Sequence, residues 1–92
     1  MDPLRNKISY TDEFTKRYRE LSYGQKLLVD SSIEKLCSID DPTELAHHLE
    51  RASYFCNWSH RVRSNLLIIF GVSKRTITFL STGTHLQAYR PK

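Results

Sequence analysis

The chain has 92 residues, a net charge of +4 and 39% hydrophobic residues, so it holds one domain with a thin core and excludes a deep cleft between domains. No apolar run approaches the ~18 residues of a membrane-spanning helix. The stretch Met1–Lys7 lacks the apolar centre of a signal peptide, so a cytoplasmic protein is expected.

A basic excess of this size suits an anionic partner, whether nucleic acid, acidic protein or anionic membrane surface, and a solvated basic surface accounts for it equally. The two cysteines, Cys37 and Cys56, are expected as a reduced, buried pair. Cys56 with His60, or His47 with His48, lacks the paired spacings of a structural zinc site, and no metal is expected.

Along the chain, Ile8 and Tyr10 flank Ser9 as a short first strand. Thr11 is a good N-cap, with Asp12 and Glu13 where they suit the helix dipole. Phe14, Tyr18 and Leu21 then form an apolar face and predict a helix over about 12–22. Ser22 and Gln25 fit a capping box for a second helix over about 23–39. Its stripe is Leu28/Val29, Ile33, Leu36 and Cys37, and Asp40-Asp41-Pro42 stops it. With almost no loop between them, the helices should form an antiparallel hairpin on one side of a sheet.

Residues 43–53 are polar and carry His47 and His48 without a clear element. From Tyr54 the chain is extended: alternation places Trp58, His60 and Val62 on one face and Ser59, Arg61 and Arg63 on the other. Ser64-Asn65 is a turn. Two central antiparallel strands follow, 66–72 and 76–82, around a turn at Ser73-Lys74-Arg75. The last strand breaks at Gly83 and delivers Thr84, His85, Tyr89 and Arg90 at its far end. The order is β-α-α-β-β-β, an α+β fold with a helical hairpin on one face of a small antiparallel sheet.

In such a meander, the end of the 54–63 strand and the end of the last strand share one edge. His60 and His85 become neighbours there, with Arg61 or Arg63 close by. Ordinary loop histidines are the plainer account. If the histidines converge, the chemistry is readable. RNA supplies its own nucleophile, the 2′-hydroxyl; a base takes its proton, an acid protonates the leaving 5′-oxygen, and a cation stabilises the charge growing on phosphate. Histidine exchanges protons at neutral pH, and no metal is required. Tyr89 can stack on a base, or it packs as a C-terminal anchor on the sheet edge.

The stretch Ser81-Thr82-Gly83-Thr84-His85-Leu86-Gln87-Ala88-Tyr89, together with His47-His48-Leu49 and with His60 ahead of Leu66-Leu67-Ile68, resembles the RelE/ParE toxin superfamily, and within it the YafQ-like branch. The resemblance covers nearly the whole chain. It implies the toxin of a type II toxin–antitoxin pair, a ribosome-dependent endoribonuclease that cuts mRNA in the ribosomal A site. His85 would then transfer a proton, with His60 and His47 assisting and Tyr89 in the place of the terminal aromatic. Arg61 and Arg63 fall where the RelE branch has basic residues; Arg63 joins the catalytic set, and Arg61, Arg90 and Lys74 are the expected RNA contacts. The implied partners are a cognate antitoxin, the ribosome and mRNA, with no cofactor and no membrane. A basic toxin invites a wrapper rich in acidic and apolar residues over the hairpin or the sheet rim. The chain departs from the branch in two places: Ser64 and Asn65 replace an acid and a tryptophan, and Ser81 replaces an arginine. The missing acid removes one proton-transfer partner. The contrary reading is a non-catalytic, ParE-like gyrase inhibitor, or a degenerate toxin that only binds its antitoxin.

Overall fold

Residues 7–48, 58–63, 65–73 and 76–84 are described by the computed structural model. Strand β1 (Lys7–Tyr10) leads into helices α1 (Asp12–Arg19) and α2 (Tyr23–Ser38). A 3-10 turn (Pro42–Leu45) follows, then strands β2 (His47–His48), β3 (Trp58–Arg63), β4 (Leu66–Ser73) and β5 (Thr76–Gly83). The strands form one sheet in the order β1-β5-β4-β3-β2. The expected α+β arrangement is present, with a difference at one edge: β2 to β5 pair antiparallel, whereas β1 pairs parallel to β5 and makes the sheet mixed. No tight turn joins β1 to its neighbour. The chain passes through both helices first, and a crossover of that length permits a parallel return.

The helix boundaries follow from capping. Thr11 has extended backbone, and its hydroxyl accepts from the Phe14 N–H at 3.1 Å. Helix α1 stops at Arg19 rather than running to residue 22. The reason is Ser22, which must be extended (φ −68°, ψ 165°) to cap α2. Its hydroxyl accepts from the Gln25 N–H at 3.2 Å, and the Gln25 side chain accepts from the Ser22 N–H at 2.9 Å. Leu21, between the helices, is buried.

Val29, Ile33, Leu36 and Cys37 of α2 are all buried, as their spacing requires. They meet Leu66, Ile68 and Phe70 of β4, and Ile77 and Phe79 of β5, in one core with Phe14. An aromatic chain ties β1 and α1 to the sheet: Tyr10 to Phe14 at 5.4 Å, Tyr10 to Phe79 at 5.6 Å, Phe14 to Phe79 at 5.6 Å and Phe79 to Phe70 at 6.3 Å between ring centroids. Burial pushes the Cys37 thiol up to about 11. Cys56 lies outside the described residues. Among those described, no helix is long and apolar enough to cross a membrane.

One irregularity matters for the site. Phe70 opposes Phe79, but Ile69 opposes Ser81, so Leu80 is an extra residue in β5. This bulge reverses the phase of the strand. Phe79 faces the helices, and so does Thr82; Ser81 and Gly83 face the other way. Thr11 holds the bulge: its N–H donates to the Phe79 carbonyl at 3.1 Å and its hydroxyl to the Leu80 carbonyl at 3.0 Å.

Candidate active site

The register arranges the candidate residues in rows across the sheet. On the helix face, His60 of β3 opposes Ile68 of β4, which opposes Thr82 of β5. On the second face, Ser59, Ile69 and Ser81 form one row, and Arg61, Leu67 and Gly83 the next. In β2, His47 pairs with Ser59 and His48 with Trp58. The backbone of His47 is thus one strand away from that of His60. His60 and Thr82 are separated by a single intervening strand, about 10 Å at ordinary strand spacing.

His60 does not end its strand, contrary to expectation. It is the third residue of β3, and its half-buried ring lies under the 3-10 turn. Its Nδ1 is 2.8 Å from the Leu45 carbonyl oxygen. A carbonyl only accepts, so Nδ1 carries the hydrogen and the neutral ring keeps its lone pair on Nε2. In that form His60 is a proton acceptor at Nε2. The turn that supplies the carbonyl is itself well defined. Asp41 caps it through the Thr43 N–H at 3.1 Å, Pro42 is buried, and the Ala46 N–H closes it on the Thr43 carbonyl at 3.1 Å.

Arg61 and Arg63 are exposed. Arg61 occupies the face opposite His60, as alternation requires, and the pairing shifts register between Arg61 and Arg63. At the other side of β4, Thr82 is fully buried and its hydroxyl donates to the Leu67 carbonyl at 2.8 Å. Gly83 has φ 130°, a left-handed value that favours glycine, and this ends the strand. Thr84 follows it at the same end of the sheet as Arg63 and Leu66. Ser81 is fully buried and its hydroxyl has no hydrogen-bond partner among the described residues.

His85, Tyr89, Arg90, Lys74 and Ser64 lie outside the described residues, and of His47 only the backbone position is given. No group of three or more His, Cys, Asp or Glu side chains is placed to hold a metal among the described residues. Two features escaped the sequence reading. The Leu45 carbonyl that fixes the His60 ring comes from 15 residues away, and no local pattern announces such a contact. The Leu80 bulge left no glycine or proline to mark it.

No protein-family model matches this chain, and no curated protein matches it. Solved structures do. The RelBE2 toxin–antitoxin complex from Mycobacterium tuberculosis superposes with a TM-score of 0.76 at 14% identity, over 91% of this chain and 95% of that one. YafQ from E. coli gives 0.62 at 16% identity, over 92% and 99%. The YoeB–YefM complex from Staphylococcus aureus gives 0.67 at 11% identity, over 88% and 98%. With a helical hairpin laid on a sheet of order β1-β5-β4-β3-β2, and a match over nearly the full length of each neighbour, this chain shares the fold of these solved structures.

Proposed function

We propose that this chain is the toxin of a type II toxin–antitoxin pair and that it acts as a ribosome-dependent mRNA endoribonuclease. The observation that carries the reading is the strip across the sheet. His60 shares a row with Thr82 across β4, and His47 pairs in the neighbouring Ser59 row, so three separate stretches of chain, the last continuing through Gly83-Thr84 to His85 in sequence, meet in two neighbouring rows of the sheet. Full-length likeness to solved toxins, two of them in complexes with their antitoxins, supports the same reading.

In this scheme the RNA 2′-hydroxyl attacks the adjacent phosphorus, forming a cyclic phosphate and releasing the 5′-oxygen of the next nucleotide. His60, with Nδ1 held by Leu45, takes the 2′-hydroxyl proton at Nε2. His85 returns a proton to the leaving oxygen, His47 assists from β2, and Arg63 stabilises the charge on phosphate. Arg61, Lys74 and Arg90 hold the RNA backbone, and Tyr89 stacks on a base. The reaction balances without a metal or cofactor. An antitoxin is the resident protein partner.

The test is induction in cells with mapping of new mRNA 5′ ends. New ends within translated frames, absent when His85→Ala replaces the wild type, are expected. Toxicity without new ends refutes the nuclease. A second reading, a gyrase inhibitor of the ParE type or a binding-only relic, is favoured by one observation: His60 and Arg61 occupy opposite faces. Its signature is impaired supercoiling by gyrase, or no toxicity at all.

A further inference from the structure

One exposed carboxylate, Asp41, heads the 3-10 turn whose last residue supplies the His60 contact. A single oxygen of Asp41, Oδ1, accepts from both the N–H and the hydroxyl of Thr43. The Asp41 carbonyl accepts from the Glu44 N–H at 3.1 Å, and the Thr43 carbonyl from the Ala46 N–H at 3.1 Å. Leu45 lies between these last two donors, so its peptide units are held on either side.

The turn is also anchored at both ends. Pro42, fully buried, has its φ fixed by its own ring. Leu45 and Ala46 pack against the core. Ala46 is extended (φ −140°, ψ 167°), and the next residue, His47, pairs with Ser59, the neighbour of His60 in β3. The Leu45 carbonyl therefore reaches His60 between a capped start and a paired exit. The paired exit, β2, is only two residues long, which leaves much of the restraint to the cap. The contact is 2.8 Å, and a displacement of well under 1 Å takes it outside the ordinary range of about 2.7–3.2 Å.

The ring depends on this carbonyl. A neutral imidazole can carry its hydrogen on either nitrogen, and only with the hydrogen on Nδ1 does Nε2 hold a lone pair. Once Nε2 has taken a proton, Nδ1–H still donates to the same carbonyl. The contact thus serves the ring before and after proton transfer, with no rotation between the two states.

We propose that Asp41 is a positioning residue for His60: through the turn it caps, it holds the Leu45 carbonyl on Nδ1 and so fixes the ring in the form whose Nε2 accepts a proton. Its consequence for cleavage rests on the nuclease reading; its effect on the ring does not, and can be read without RNA.

Nitrogen NMR of the ¹⁵N-labelled full chain at about pH 8.5, above the ordinary histidine pKa of about 6.5, reads the ring directly, because a ring nitrogen with a lone pair resonates far from one with a hydrogen. Loss of signals in His60→Asn identifies those of His60. The wild type should carry the hydrogen on Nδ1. Asp41→Ala removes the acceptor and should give a mixture of both forms. Asp41→Asn keeps an Oδ1 acceptor and should match the wild type. Asp41 is exposed, so neither substitution opens the core, and the amide spectrum checks the fold. Single-turnover mRNA cleavage on ribosomes should fall in Asp41→Ala with the competent share of rings, about 2- to 10-fold for a share of about one half to one tenth, at an unchanged half-saturating ribosome concentration. Asp41→Asn should cleave at the wild-type rate. A wild-type ring with its hydrogen on Nε2, wild-type ring populations in Asp41→Ala, or an Asp41→Asn ring as disturbed as that of Asp41→Ala overturns the proposal. So does cleavage at the wild-type rate by an Asp41→Ala protein whose ring populations have shifted. A wild type that leaves mRNA intact while the populations shift as stated refutes the nuclease reading and upholds the hold of Asp41 on the ring.

Discussion

His60 separates structure from chemistry in a single position. Its Nδ1–H donates to the Leu45 carbonyl at 2.8 Å, while Nε2 is the atom the proposed reaction uses. Replacement by alanine removes both. Replacement by asparagine places an amide N–H close to where Nδ1 was, and keeps the first while removing the second. The lost hydrogen bond is worth about 1 kcal/mol net, and a half-buried carbonyl left without its donor raises the cost of His60→Ala to about 1–2 kcal/mol. For a chain of this length that lowers the melting temperature by about 5–15 °C. His60→Asn should stay within about 0.5 kcal/mol of the wild type. Both variants should lose mRNA cleavage by a factor of about 10²–10⁴, the ordinary loss for a proton-transfer group. Thermal denaturation and 5′-end mapping on the three proteins give the comparison. A fully active His60→Asn variant refutes proton transfer through Nε2. If His60→Ala is as stable as the wild type, the Leu45 contact is not holding the ring.

Three further outcomes follow from particular contacts. Thr11→Ala loses the cap of α1 and the bond to the Leu80 carbonyl together, and should cost about 1–2 kcal/mol in urea denaturation. Ser81→Ala should be neutral or stabilising by up to about 1 kcal/mol, because the hydroxyl is buried with no partner among the described residues. The side-chain hydrogen bond to Asp30 pushes the Tyr18 hydroxyl up from 10.0 to about 12. A pKa raised on folding means that the folded state keeps its proton longer; this contribution is complete below pH 10 and is lost between about pH 10 and 12. Tyr18→Phe should therefore show a shallower fall in stability across that window than the wild type.

The elements governed by local chemistry were legible. Thr11 and the Ser22–Gln25 pair mark helix starts because a side chain reaches a backbone N–H only a few residues away. The stripe of α2 and the apolar runs of β4 and β5 carry their periods openly. The parts decided by distant contacts were not. The parallel pairing of β1 depends on which edge the crossover reaches, and Ile8 and Tyr10 read the same in either direction. The short β2 at His47–His48 exists because β3 offers it an edge, and its own polar sequence does not specify a strand. Trp58, Ser59, His60 and Arg61 alternate as read, yet their place in the site depends on the register against Leu67–Phe70.

The Leu80 bulge decides how such a site can be built. It places Thr82 in the His60 row on the helix face and Gly83 in the Arg61 row on the second face. A phosphate lying flat on either face would meet one of these rows and not the other. The β3–β4 pairing shifts between Arg61 and Arg63 at the end of the sheet where the left-handed Gly83 ends β5. Arg63 and Thr84 stand at that end. The shift also overrides simple alternation in β3: Arg61 pairs with Leu67 on the second face, whereas Arg63 pairs with Leu66, whose side chain belongs to the helix-side core, so two irregularities in otherwise regular strands set which residues share a row at this end of the sheet.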